Sequence, residues 1–134
     1  MLNESELLAQ SDDDYMNDAQ VAFFKNLLEE KAVALRDRMR ANQTACVIER
    51  QPDDADFAST EEHRSMAVNM IERDNKELAR VNRALAQIES GDYGYCVDLG
   101  EPIGVKRLLL VPESPYSVEA MRIREAKGLH QRVA

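Results

Sequence analysis

Ile71-Glu72-Arg73-Asp74-Asn75-Lys76-Glu77-Leu78-Ala79-Arg80-Val81-Asn82-Arg83-Ala84-Leu85-Ala86-Gln87-Ile88 contains no Gly or Pro, and its apolar side chains fall in two rows. Ile71, Leu78 and Leu85 lie seven apart, as do Asp74, Val81 and Ile88, which makes an a/d seam with one polar member. The helical run extends from about Thr60 to Ser90, where Gly91 supplies the residue type that ends helices. A helix with such a seam needs a second helix to cover it. One stands upstream, where Val21, Phe24, Leu27, Leu28, Ala32, Leu35 and Met39 recur at three- and four-residue steps and Asn17 or Asp18 provides a cap. Two helices of this length, each roughly 30 residues at 1.5 Å per residue, predict an antiparallel hairpin about 45 Å long. Such a hairpin is expected to project from whatever small globule the remaining residues build. The same periodicity also suits a dimeric coiled-coil adaptor. Asp74 weighs against that alternative, because a buried carboxylate needs a partner.

Between the helices stands Pro52-Asp53-Asp54-Ala55-Asp56-Phe57-Ala58, three carboxylates in seven residues. Ser59-x-x-Glu62 reads as a capping box that starts the second helix. Acids near a helix N-terminus are electrostatically favoured, so a plain solvated turn and a functional tip both fit this composition.

Beyond Gly91 the chain is turn-rich to Gly104, and the apolar run Val105 to Val111 suggests two short hairpin-like strands. Ser114 and Pro115 open a final helix expected to end before Gly128. The expected organisation is an N-terminal segment (1–15) on or near the globular part, helix one (16–51), an acidic tip loop (52–59) and helix two (60–90). A turn-rich region (91–113), a C-terminal helix (114–127) and a tail (128–134) follow.

Composition narrows the function classes. Of the 134 residues 31% are charged and 5% aromatic, with no Trp, a mixture suited to long solvated helices rather than a thick core. The net charge of −8 argues against a general nucleic-acid coat, which works by neutralising phosphates with Lys and Arg. The charge is uneven: residues 104–134 carry +3 and residues 1–103 carry −11. No apolar run is long enough to span a membrane, and the first residues lack a signal-peptide pattern, so a cytoplasmic location is expected. Cys46 and Cys96 make no disulfide framework. With no phosphate loop and no nucleophile–base pair, the chain does not read as an enzyme.

Three stretches resemble one family. Gly91-Asp92-Tyr93-Gly94-Tyr95-Cys96, followed by Gly100-x-x-Ile103-Gly104-Val105-Lys106-Arg107-Leu108 and Pro112, resembles the zinc-finger core of the DksA/TraR family of RNA polymerase-binding transcription factors. Asp14-Tyr15-Met16-Asn17-Asp18-Ala19-Gln20 resembles that family's approach to its first coiled-coil helix, and Asp53-x-x-Asp56-x-Ala58 matches its tip motif. Together they cover about residues 12–127. The family usually binds zinc through two Cys-x-x-Cys pairs, but here those four positions read Cys96, Leu99, Ser117 and Ala120. Region 91–113 is therefore a degenerate finger. Zinc is not expected there, and Leu99, Ala120 and Leu108-Leu109-Leu110 are expected to fill the space with apolar contacts. In this the chain resembles the family's zinc-independent paralogue type.

The resemblance implies a fold and a mechanism. The fold is mainly α, a long antiparallel coiled-coil hairpin projecting from a small globular domain. The hairpin enters the secondary channel of bacterial RNA polymerase and brings Asp53, Asp56 and Ala58 near the active centre. Open complexes are thereby destabilised, inhibiting ribosomal RNA promoters and activating amino-acid biosynthesis promoters. ppGpp acts as co-effector, with Arg73 and Arg80 as contacts to it or to the polymerase rim, although helix pairing with glutamates would equally occupy these arginines. Val111 and, depending on a short alignment gap, Met121 or a neighbouring arginine stand where the resemblance implies other basic residues of that site. The protein is expected to be a monomer without sequence-specific DNA binding, replacing a zinc-dependent DksA when zinc is scarce. A Gre-like transcript-cleavage cofactor is the alternative that the tip acids also permit.

Overall fold

The computed structural model describes the backbone of residues 2–46 and 54–133, and the side chains of these residues except 54–57 and 129–133. Its elements are α1 (Glu4–Ala9), a 3-10 turn (Asp12–Asp14), α2 (Asp18–Ala45), α3 (Asp54–Ser90), α4 (Val105–Leu110) and α5 (Val118–Val133). The mainly helical fold with its two-helix hairpin is as the sequence predicts. Among the described residues no helix is long and apolar enough to cross a membrane.

Two compact units share the helices: Met1–Leu28 with Arg83–Ala134, and Glu29–Asn82. The second unit is an antiparallel helix pair. Lys31 meets Glu77 at 3.1 Å and Arg38 meets Asp74 at 2.6 Å, so position rises along α2 as it falls along α3. Ala32, Leu35, Ala67 and Val81 are buried between them, and so is Asp74. The row Ala67-Asp74-Val81 is thus the deep one, while Ile71 and Leu78 are half-buried. One expectation fails here: α3 is already helical at Asp54, so residues 54–59 belong to the helix and Ser59 is an interior residue, not its cap.

In the first unit, Phe24, Leu28, Ala84 and Tyr93 form a core that Leu7 of α1 joins, each at most 3% exposed. Phe24 and Tyr93 stack in a tilted pair 5.8 Å apart. Asn3 and Glu6 make a capping box on α1, which lies against α4, and Asn17 caps α2 by accepting the Gln20 N–H at 2.8 Å. The strands expected between 91 and 111 do not form: the ladder is a single bridge between Tyr95 and Pro102, and the Val105 run is helical. Gly104, at φ 102°, turns the chain as only glycine does easily, and the short helix that follows buries Leu108 while leaving Leu110 83% exposed. Nor does the last helix begin at Pro115, whose carbonyl is occupied by the Val97 N–H at 2.9 Å. Ser117 caps it instead, its hydroxyl accepting the Ala120 N–H at 3.2 Å. The helix continues through Gly128 to Val133, so the expected tail is helical.

Candidate functional site

Pro52 and Asp53 of the acidic stretch lie outside the described residues. Asp54 and Asp56 sit on the first described turn of α3, and Ala58, one turn on, is exposed. Arg73 and Arg80, also on α3, are exposed and seven residues apart, which puts them on one face at a spacing of about 10 Å. Among the described residues neither makes an ion pair: Glu77, which stands at i+4 from Arg73, is taken across the hairpin by Lys31. The helix pairing that would have occupied these arginines is therefore not formed. Val111 and Met121 belong to the other unit, Val111 at 38% exposure and Met121 half-buried.

The turn-rich loop from Gly94 to Gly104 is closed by hydrogen bonds. Ile103 N–H donates to the Gly94 carbonyl at 2.8 Å, Cys96 N–H to Glu101 at 2.8 Å, and Gly100 N–H to Cys96 at 2.9 Å. The Tyr15 hydroxyl ties both ends: it donates to the Gly94 carbonyl and accepts the Gly104 N–H at 3.0 Å. Burial holds the Tyr15 phenol above its ordinary pKa. Its ring meets Tyr95 edge-on at 5.7 Å. Met16, itself at φ 57°, lies so close over Gly94 that a Cβ there would stand 2.7 Å from its Cγ. The C-terminal side is tied by Arg124, which grips Asp98 with two bonds of 2.6 and 2.9 Å and lies 4.1 Å over the Tyr116 ring.

Comparison with known proteins agrees with this geometry. Residues 20–88 match the family model described as DnaK suppressor protein DksA, N-terminal domain. The RNA polymerase-binding transcription factor DksA of Caulobacter vibrioides (strain NA1000 / CB15N) is 35% identical over 129 residues, covering 95% of this chain and 91% of that protein. The chain belongs to the DksA family. The DksA of Escherichia coli (strain K12) is 31% identical over 117 residues, 86% of this chain and 78% of that one. The structure of transcription factor DksA2 from Pseudomonas aeruginosa superposes with a TM-score of 0.84 at 40% identity, covering 96% of this chain and all of that one.

The zinc that DksA family fingers hold does not fit the donors present. Tetrahedral zinc needs four thiolate, imidazole or carboxylate ligands. Of the four finger positions Cys96 alone offers sulfur; Leu99 and Ala120 offer nothing, and the Ser117 hydroxyl already donates to Glu101 at 2.7 Å and caps α5. Among the described residues no three His, Cys, Asp or Glu side chains are grouped to hold a metal. The space is not filled as the sequence suggested. Ala120 and Leu108 are buried, but Leu99 is 47% exposed. Cys96 itself is buried. Burial pushes its thiol up, yet the backbone N–H groups of Ser117, Leu99 and Asp98 outweigh this and hold it below the usual thiol value.

Sequence reasoning missed Tyr15 as a structural tie, Ser117 as a cap and Arg38 as the partner of Asp74. Tyr15 had a signal in the Asp14-to-Gln20 stretch already singled out. Arg38 had none, since it stands beside the apolar row of Leu28, Ala32, Leu35 and Met39 among many other charged residues of α2.

Proposed function

We propose that this protein is a transcription regulator that binds bacterial RNA polymerase through the secondary channel and sets its acidic turn near the active centre. The match along 95% of the chain to a protein named as an RNA polymerase-binding factor carries the reading. The Asp53-x-x-Asp56-x-Ala58 motif, whose Asp56 and Ala58 lie in the first described turns of α3, supports it. Asp53 and Asp56 act by charge. Near the active centre they compete for or reposition polar and basic groups, while small Ala58 permits close approach. Open complexes become shorter-lived, so ribosomal RNA promoters with fragile complexes are inhibited and amino-acid biosynthesis promoters limited elsewhere are activated. The protein works in the cytoplasm, as a monomer, as a regulator rather than an enzyme, and reads no DNA sequence itself.

ppGpp is the co-effector. Arg73 and Arg80, exposed and without ion-pair partners among the described residues, are the cations offered to its phosphates or to the polymerase rim. The neutral Val111 makes this contact weaker than a fully basic site would. The finger folds without zinc, and the protein replaces a zinc-dependent DksA when zinc is scarce.

In vitro transcription from a ribosomal RNA promoter, with and without ppGpp, tests the reading. Wild type should shorten open-complex lifetime, more so with ppGpp, and Asp56→Asn should bind polymerase yet lose the effect. A wild type that leaves lifetimes unchanged refutes the function; an active Asp56→Asn refutes the tip. Melting unchanged by a zinc chelator is expected, and growth at low zinc of a strain lacking both this protein and its zinc-dependent counterpart would refute the substitution role.

A further inference from the structure

The helix pair of residues 29–82 is unevenly sealed. Between residues 29–38 and 74–82 it buries Ala32, Leu35, Asp74 and Val81, but among the described residues 39–46 and 58–73 only Ala67 is buried. Met66 and Val68 on that outer stretch are 60% and 39% exposed. On α2 the apolar row thins toward the turn: Ala32 and Leu35 are buried, Met39 is half-buried, and the next half-buried residue beyond it is Asn42. The Asn42 Nδ2 is buried with no hydrogen-bond partner among the described residues. Apolar packing of this kind does little to favour one register over a neighbouring one.

One contact does discriminate. Arg38 Nε donates to Asp74 Oδ2 at 2.7 Å and Nη2 to Oδ1 at 2.6 Å, a two-bond fork that fits a single alignment of the helices. The Asp74 side chain is 2% exposed, so any slip strands a buried carboxylate. The next cross-helix pair, Lys31–Glu77, lies on the side away from the acidic turn. We propose that Arg38 and Asp74 are positioning residues, whose ion pair pins the register of α2 against α3 and thereby fixes where the acidic residues at 53–56 stand. This rests on the polymerase reading only for its functional consequence. A polar pair in a coiled-coil seam specifies alignment and partner number at some loss of stability, and replacing it with apolar residues frees both.

The test is the double variant Arg38→Leu/Asp74→Leu in the full chain, with Asp74→Asn as a second variant should the first fold poorly. Spin labels on native Cys46 and on Glu62→Cys, in a Cys96→Ser background, report the alignment of the two helices. The parent should give one narrow distance. The double variant should keep its helical circular dichroism but give a broad distribution, with components displaced by about 5 Å for a one-turn slip, and should self-associate in sedimentation. At saturating concentration it should bind polymerase and lose most of its effect on open complexes. A single unchanged distance overturns the proposal, and so does a shifted distance with full effect at saturation. Should the parent itself leave open complexes untouched, the polymerase reading fails, while the distances still decide whether the pair sets the register.

Discussion

Tyr15→Phe isolates what holds the finger loop closed. The ring stays, and with it the edge contact to Tyr95; only the hydroxyl is lost. Two hydrogen bonds go with it, but their losses differ. The Gly94 carbonyl keeps the Ile103 N–H as donor, so that side loses a bond without being stranded. Among the described residues the Gly104 N–H has no other partner, and it sits at a half-buried position. One replaced bond and one partly stranded donor cost about 2 kcal/mol. That is a change of roughly thirtyfold in the unfolding equilibrium. With a urea slope of about 2 kcal/mol/M, the midpoint should fall by about 1 M at unchanged slope. The assay suits this protein. It has no Trp, and its four tyrosines, Tyr15, Tyr93, Tyr95 and Tyr116, all lie in the unit formed by Met1–Leu28 and Arg83–Ala134. Tyrosine fluorescence therefore follows that unit, while far-ultraviolet circular dichroism follows all the helices. An unchanged fluorescence midpoint, with the Gly104 amide still protected from exchange, would refute the role given to Tyr15.

Other substitutions probe other parts. Gly94→Ala sets a Cβ 2.7 Å from Met16 Cγ at a φ of 94°, and should cost about 3 kcal/mol in a urea titration; adding Met16→Ala should recover the clash but not the backbone strain. Ser117→Ala removes the α5 cap and should cost about 1 kcal/mol, read as a lower urea midpoint. The Arg38 hydrogen bonds hold the Asp74 carboxyl below the usual range against the opposing effect of its burial. Its stabilisation is therefore full above about pH 3.9 and lost as pH falls through the lower folded value. Asp74→Asn should flatten this acid limb and, with Arg38 half-exposed, cost about 2 kcal/mol at neutral pH.

The long helices were legible because their apolar spacing persists over many turns, and the Asp74 row was legible as a seam with a polar member. Its partner was not: Arg38 is one of many charged residues on α2, and nothing local separates a cation reaching into the seam from one in water. Elements of six residues are below the reach of periodicity, so Val105–Leu110 passed for a strand although no partner strand exists to complete its ladder. Ser114 with Pro115 was the legible start of α5, and Ser117 caps it instead because the Pro115 carbonyl is bonded to Val97, a contact between residues far apart in sequence. The finger positions disclosed that zinc ligands are missing. That Leu99 stays exposed while Leu108 and Ala120 are buried depends on backbone geometry, which side-chain types do not encode.

The Tyr15 bonds also order the events of folding. They join residues 79 and 89 apart, whereas Arg38 and Asp74 are 36 apart and nested inside that span. Closing a loop of such length in an unfolded chain is slow, and the delay shrinks once the intervening residues have zipped into helices that draw the flanks together. Pulse-labelled hydrogen exchange should therefore find amides of residues 29–38 and 74–82 protected before that of Gly104. A hydroxyl near the start of the chain waits on a helix pair formed in its middle.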